Sequence, residues 1–130
     1  MTQIYTEKKI NELTYEIIGC AYKVHSELGP GLLESAYEAC LFHELLEKGF
    51  DLERQKELPL VYKEVRLDAG YRMDIAVEKK VLIEIKSVDA LAPIHTAQVL
   101  TYLKLSKLKL ALLINFNTVN LQQGIHRLIM

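Results

Sequence analysis

The stretch YRMDIAVEKKVLIEIKSV, Tyr71 to Val88, alternates on either side of Glu78-Lys79-Lys80 and reads as a β-hairpin with that tripeptide as its loop. With Val77 set opposite Val81, the two-residue period of a strand separates two unlike faces. Tyr71, Met73, Ile75 and Val77 against Ser87, Ile85, Ile83 and Val81 form an almost wholly apolar face, expected to pack on a helix. Arg72, Asp74 and Ala76 against Lys86, Glu84 and Leu82 form the other. In this register Asp74 stands directly across from Glu84, and like charges so placed destabilise a sheet by roughly a few tenths of a kcal/mol unless something binds them. Two carboxylates from adjacent strands supply the hard oxygen ligands that Mg²⁺ or Mn²⁺ takes, with positions left for water and a phosphate oxygen. Lys86 projects from the same face and suits holding an attacking water or offsetting charge at phosphorus. The same three residues would equally suit a plain solvent-facing hairpin side, so the flanking sequence has to decide.

Upstream, Ile10, Leu13, Ile17, Ala21, Val24 and Leu28 recur every three or four positions, which predicts an amphipathic helix stopping at Gly29-Pro30-Gly31. A second helix is expected from Leu32 to about Lys48, closed by Gly49, making the first third a helical hairpin. Strands are expected at Glu53 to Tyr62 and Val65 to Leu67 around a turn at Lys63-Glu64, with Pro59 arguing for an edge position. Downstream, Pro93 suits the first turn of a helix over Ile94 to Leu105. Leu110 to Phe116 reads as a buried strand, and Ile125 to Ile129 as a short edge strand.

The 130 residues, half of them apolar, suffice for one domain spanning 1–130 with a core of its own, and no repeat or linker composition divides them. The formal charge of -1 weighs mildly against a dedicated nucleic-acid binder, without excluding a local basic patch. Cys20 and Cys40 lack metal or framework spacing and are expected to be reduced. Met1 to Glu7 is polar, and no apolar run approaches a bilayer span, so a cytoplasmic protein with no membrane partner is expected. No phosphate-binding loop, dinucleotide fingerprint, hydrolase serine or cysteine motif, or zinc spacing is present.

Asp74, nine intervening residues and Glu84-Ile85-Lys86 resemble the Asp...Glu-x-Lys core of the PD-(D/E)xK phosphodiesterase superfamily. Gly31-Leu32-Leu33-Glu34-Ser35-Ala36-Tyr37, led by Leu28-Gly29-Pro30, is similar to the signature of the bacterial GxxExxY family, which is assigned to that superfamily. Tyr71-Arg72-Met73-Asp74 and Leu112-Leu113-Ile114-Asn115-Phe116 look like family segments in the same order, so the resemblance covers nearly the whole chain. It implies an α/β, restriction-endonuclease-like αβββαβ core: a mixed sheet flanked by helices. The implied activity is metal-dependent nuclease action on nucleic acid, DNA favoured, with Asp74 and Glu84 binding Mg²⁺ or Mn²⁺ and Lys86 assisting the water.

Gln98 and Tyr102 resemble the Gln-x-x-x-Tyr motif of RecB-like nucleases, and with His95 they fall on one helical stripe. Gln98 would then orient water or phosphate and Tyr102 would contact the backbone of the nucleic acid; otherwise they are an exposed helix residue and a core aromatic. Glu34 matches the place of a helical carboxylate near the metal, a third candidate ligand, or is a first-turn acid worth about 0.3–1 kcal/mol on the helix dipole. Tyr37, one turn on, suits a hydrogen bond toward the site or a place in the core. Arg72 is a candidate for phosphate or for pairing with Asp74 or Glu84. His95 divides between ligand and structural roles, and His25 is expected to be structural. The rival reading is a non-catalytic binding or assembly module, a homodimer included, that keeps the fold and docks nucleic acid or protein.

Overall fold

The computed structural model describes residues 7–68 and 70–130. Residues 1–6, most of the polar start, lie outside them. Helix α1 (Glu7–Leu28) buries Leu13, Ile17, Ala21 and Val24, the apolar stripe that its spacing predicts. It stops where Gly29 takes a left-handed φ of 67° and donates its N–H to His25 O at 2.8 Å. A side chain at that φ would be strained, so glycine ends the helix without cost. Helix α2 (Glu34–Glu47) packs against α1, giving the expected helical hairpin.

Then follow β1 (Leu52–Glu57), β2 (Leu60–Tyr62), β3 (Val65–Leu67), β4 (Arg72–Val77), β5 (Val81–Lys86), α3 (Pro93–Ser106), β6 (Leu110–Asn115) and β7 (Ile125–Ile129). A 3₁₀ turn, Leu121–Gly124, occupies part of what reads in the sequence as polar loop. Five strands form one mixed sheet in the order β1-β4-β5-β6-β7. Its parallel pair is β5 and β6, and α3 supplies the crossover that parallel pairing requires.

On one face, α1 and α2 bury Ile17, Tyr37, Leu41 and Leu45 against Ile75, Val77, Ile83 and Ile85. On the other, α3 buries Val99 and Leu103 against Ala76, Leu82, Ala111 and Leu113. Each fully buried aliphatic side chain contributes about 1.5–3 kcal/mol, so the sheet is held from both sides. This is the mixed sheet flanked by helices expected of a restriction-endonuclease-like fold.

Two expectations change. Glu53 to Tyr62 is not one strand: it breaks at Leu58-Pro59, leaving β1 at the edge of the main sheet and β2 paired with β3 in a separate ribbon. Pro59 has no N–H to give a ladder, and Leu58 turns inward to be buried. The all-apolar hairpin face also ends early. Met73 packs on the α3 side, and the Tyr71 ring meets Tyr102 of α3 edge-on at 6.5 Å. The hairpin's paired ladder reaches only Ile75–Ile83. Gln55, between the paired Arg54–Ile75 and Lys56–Met73, has a left-handed φ of 50°, so the regular alternation fails at this end of the sheet.

The ends of β5 and β6 are tied by one side chain. Buried Asn115 donates Nδ2 to Val88 O at 3.0 Å and accepts from Val88 N–H at 3.1 Å and Asn117 N–H at 3.2 Å. A Cβ on Gly124 would come within 2.2 Å of Asn115 O, so only glycine fits beneath it. Asn115→Ala is expected to cost about 1–3 kcal/mol in urea unfolding, because the Val88 and Asn117 N–H groups lose their partner and Val88 O keeps only the Asn117 Nδ2 donor at 3.3 Å. Cys20 and Cys40 are free, as expected. His25 Nε2 lies 2.7 Å from Thr118 O, the structural role foreseen for it.

Candidate active site

Where the hairpin ladder ends, side chains take over from backbone. Asp74 N–H donates to Glu84 Oε2 at 2.7 Å, and Ile85 N–H donates to Asp74 Oδ2 at 2.8 Å. The two carboxylates, each on its own strand, are thus held by an amide of the opposite strand. Glu84 is 3 % exposed, while Asp74 is half-buried at the mouth of an open cleft of about 380 Å³ shared with Glu34, Ser35, Glu38 and Gln55.

Lys86, two residues beyond Glu84 and half-buried, donates Nζ to Gln98 Oε1 at 3.2 Å, and Gln98 Nε2 donates to Tyr102 Oη at 3.4 Å. The helical stripe of Gln98 and Tyr102 therefore meets the strand bearing Lys86. Across the cleft, Ser87 N–H points to Glu34 Oε2 at 3.4 Å and Ser87 Oγ donates to Leu32 O at 2.6 Å, which docks the start of α2 on the end of β5. Two acids and a lysine on neighbouring strands, with a polar helix stripe behind and an open cleft in front, are equipped for phosphodiester hydrolysis.

The sequence pattern of the PD-(D/E)XK nuclease superfamily matches residues 11–128. The chain belongs to that superfamily. No curated protein and no solved structure matches it. A PD-(D/E)XK nuclease of this kind implies a nucleic-acid substrate, and such nucleases typically use divalent metals. Among its described residues no helix is long and apolar enough to cross a membrane.

The donor chemistry of this PD-(D/E)XK site fits a hard divalent cation at Asp74 and Glu84. Burial raises the Glu84 carboxyl to about 8, with Asp74 adding to the rise. It raises Asp74 to about 6, held down in part by the Ile85 N–H and pushed up by Glu38. Both hold a proton more tightly than a free carboxyl does, as expected of two buried acids set close together, and a bound cation would favour their charged forms. Glu34 does not close a triad with them. Among the described residues, three donor atoms come within 4.8 Å of one another only at His43, Glu44 and Glu47. That group lies along α2 where it borders α1, with Glu44 paired to Lys23 and His43 to Glu47, away from the cleft.

The remaining sequence candidates divide. Tyr37 is fully buried and stacks on Phe116 at 4.6 Å; its hydroxyl donates to Gly29 O at 2.5 Å and accepts from Leu32 N–H at 3.1 Å. It clamps the loop that carries Glu34 instead of facing the cleft. His95 Nδ1 accepts from Ala92 N–H at 2.9 Å, closing the first turn of α3. Arg72 is half-exposed and lies 3.9 Å from Glu57 of β1, with which it pairs in place of Asp74 or Glu84. Tyr102 is buried, and its hydroxyl is pushed up by burial and then by Glu84 and Asp74.

Sequence reading missed Glu38 and Gln55. Glu38 accepts from Arg54 Nε at 2.8 Å and Gln55 Nε2 at 2.6 Å, and that same Gln55 amide donates to Asp74 Oδ1 at 3.3 Å. Glu38 was within reach of inference, since it follows Glu34 by one helical turn. Gln55 carried no signal: its role comes from a backbone φ that strand periodicity does not foresee.

The pair sets a pH dependence in the metal-free protein. Both carboxyls bind protons more tightly folded than unfolded, so the native state holds more protons between about pH 4 and pH 8. Stability is fully supported at the acid end of that window and falls as pH rises through it. Each tenfold excess in proton affinity costs about 1.4 kcal/mol by its end. Thermal unfolding in a chelator is expected to show a lower midpoint at pH 8 than at pH 5.5, with Mn²⁺ restoring more at pH 8. A midpoint that rises across this range would contradict the pairing.

Proposed function

We propose that the chain is a divalent-metal-dependent nuclease that hydrolyses phosphodiester bonds of nucleic acid, with DNA the favoured substrate. The observation that carries this reading is the interlocked pair Asp74 and Glu84, each amide-held from the other strand, with Lys86 beside them. Asp74 and Glu84 hold Mg²⁺ or Mn²⁺. When bound, the metal supplies Lewis-acid stabilisation of phosphate charge and a more acidic water.

Lys86 offers its ammonium to the attacking water or to charge developing on the phosphoryl oxygens, and Gln98 steadies that ammonium through its Oε1. Tyr102 presents a hydroxyl behind Gln98. Glu34, exposed at the cleft mouth beside Ser87, acts on the water side and Arg72 on the phosphate side. Tyr37 and His95 contribute by holding the loop and the helix start that frame the cleft. Within the superfamily, Gly31 to Tyr37 supports placement in the GxxExxY family, with residues 1–130 acting as one cytoplasmic domain.

A second reading, assembly without chemistry, is favoured by one observation. The β2–β3 ribbon exposes Val61, Tyr62, Val65 and Leu67, and a two-stranded ribbon is marginal alone, so a second copy of the chain is its natural cover. The deciding experiment incubates the protein with labelled single- and double-stranded DNA and RNA in Mg²⁺ or Mn²⁺, beside Asp74→Ala and Lys86→Ala. Cleavage by the parent alone supports the nuclease. No cleavage, or equal cleavage by all three, leaves assembly as the better reading.

A further inference from the structure

The pole that carries the candidate chemistry is poor in positive charge. Glu34, Glu38 and Asp74 line the cleft and Glu84 is bonded behind Asp74. Arg54 is paired with Glu38 and Arg72 lies by Glu57, so Lys86 is the cation left to face the remaining acids before a divalent ion binds. Affinity for nucleic acid comes mainly from neutralising phosphates, and this pole has little to offer for that.

The opposite end of the sheet is the reverse. There the β4–β5 turn, the turn before β6 and strand β7 together line a groove of about 560 Å³ with Lys79, Lys80, Lys107, Lys109 and Arg127 against a single carboxylate, Glu7. The fold brings these turns together because Val81 pairs with Leu110 at the start of the parallel ladder, and Leu110 pairs with Ile129 of β7. Lys79, Lys107 and Lys109 join no ion pair among the described residues, and Arg127 donates to the neutral Asn11 Oδ1 at 2.7 Å, which leaves its charge uncancelled.

Building on the nuclease reading, we infer that this groove is a second contact for the nucleic-acid backbone, anchoring a phosphate run away from the cleft. It supplies the affinity, and the cleft supplies the chemistry. From Val81 to Lys86 the strand advances five steps, roughly 17 Å at 3.3 Å per residue. A duplex crosses that distance in about five base pairs at 3.4 Å each. Substrates that extend past this length therefore gain binding that shorter ones lack. The competing occupant is an acidic protein segment, for which Leu108 and Ile129 in the groove would offer apolar contact. Nucleic acid is favoured because it links the groove to the phosphodiester chemistry of the same molecule.

The test replaces Lys79, Lys107 and Lys109 together by Gln in full-length protein. It measures binding of a labelled 20-base-pair duplex against salt, with chelator and in an Asp74→Asn background so that no cutting intervenes. Turnover of bis(p-nitrophenyl) phosphate by the same triple variant with Asp74 intact is measured separately. The expected result is duplex binding about tenfold weaker or more, a log–log salt slope smaller by about 2–3, and unchanged turnover of the small diester. Lys109→Gln alone, at an ordinary backbone position, should lower the slope by about one, so misfolding of the triple variant does not protect the idea. Unchanged slopes in both variants overturn it, as does groove-dependent capture of polyglutamate without groove-dependent duplex binding. Groove-dependent duplex binding by a parent that cuts nothing upholds the groove and sinks the nuclease; cutting with an unchanged slope does the opposite.

Discussion

Asp74→Asn is expected to lower phosphodiester cleavage by roughly three orders of magnitude, about 4 kcal/mol of transition-state stabilisation, while raising the unfolding midpoint of the metal-free protein at pH 8. The amide oxygen can still accept the Ile85 N–H, so the interlock at 2.8 Å survives in shape. What disappears is a negative charge. Glu84 loses the largest electrostatic contribution to its raised proton affinity, leaving burial as the main cause. Less proton uptake is then linked to folding, and stability at pH 8 increases. The same lost charge removes half of the cation site, so the Mn²⁺-induced rise in midpoint should vanish. Activity within tenfold of the parent, or a preserved Mn²⁺ effect, would sink the assignment. A merely structural aspartate would give loss of stability instead, which makes the opposite signs of the two readouts the useful part.

Lys86→Met should reduce kcat by about 10²–10³-fold with KM little changed, since the ammonium acts on charge that develops in the transition state. Methionine keeps the aliphatic stem, and Gln98 retains its contact to Tyr102 at 3.4 Å while losing the one to Lys86. Lys86 also lowers the proton affinity of both Asp74 and Glu84. Removing it raises both further, so the pH at which Mn²⁺ begins to stabilise the protein should move upward. Steady-state kinetics with a midpoint titration in Mn²⁺ from pH 6 to pH 9 reads both effects. A variant that loses Mn²⁺ stabilisation at every pH would mean that Lys86 holds the site together instead of acting in it.

Local pattern carried a large part of the fold. The three helices followed from apolar spacing closed by Gly29 and Gly49 and opened by Pro93, all of which act over a few residues. The register Ile75–Ile83 and Val77–Val81 followed from where the loop Glu78-Lys79-Lys80 falls. Leu58-Pro59 escaped, because a strand-like run says nothing about whether its second half still has a neighbour in the main sheet.

For the site, sequence alone placed Asp74 on one strand of the hairpin and Glu84 and Lys86 on the other, because the turn sets where each strand runs. The direct Asp74–Glu84 rung expected from it lies beyond the last paired rung, Ile75–Ile83, and side-chain-to-amide bonds stand in its place. Sequence also marked Gln98 and Tyr102 as one stripe, since helical spacing is rigid. Only the tertiary structure decided that this stripe meets Lys86, that Glu38 and Gln55 stand behind Asp74, and that Tyr37 is turned into the core. It alone gathered Lys79, Lys107 and Arg127 from three separate segments into one groove. Periodicity fixes direction within an element, whereas contacts between elements depend on how sheets end, strands part and helices cross, which no local repeat encodes.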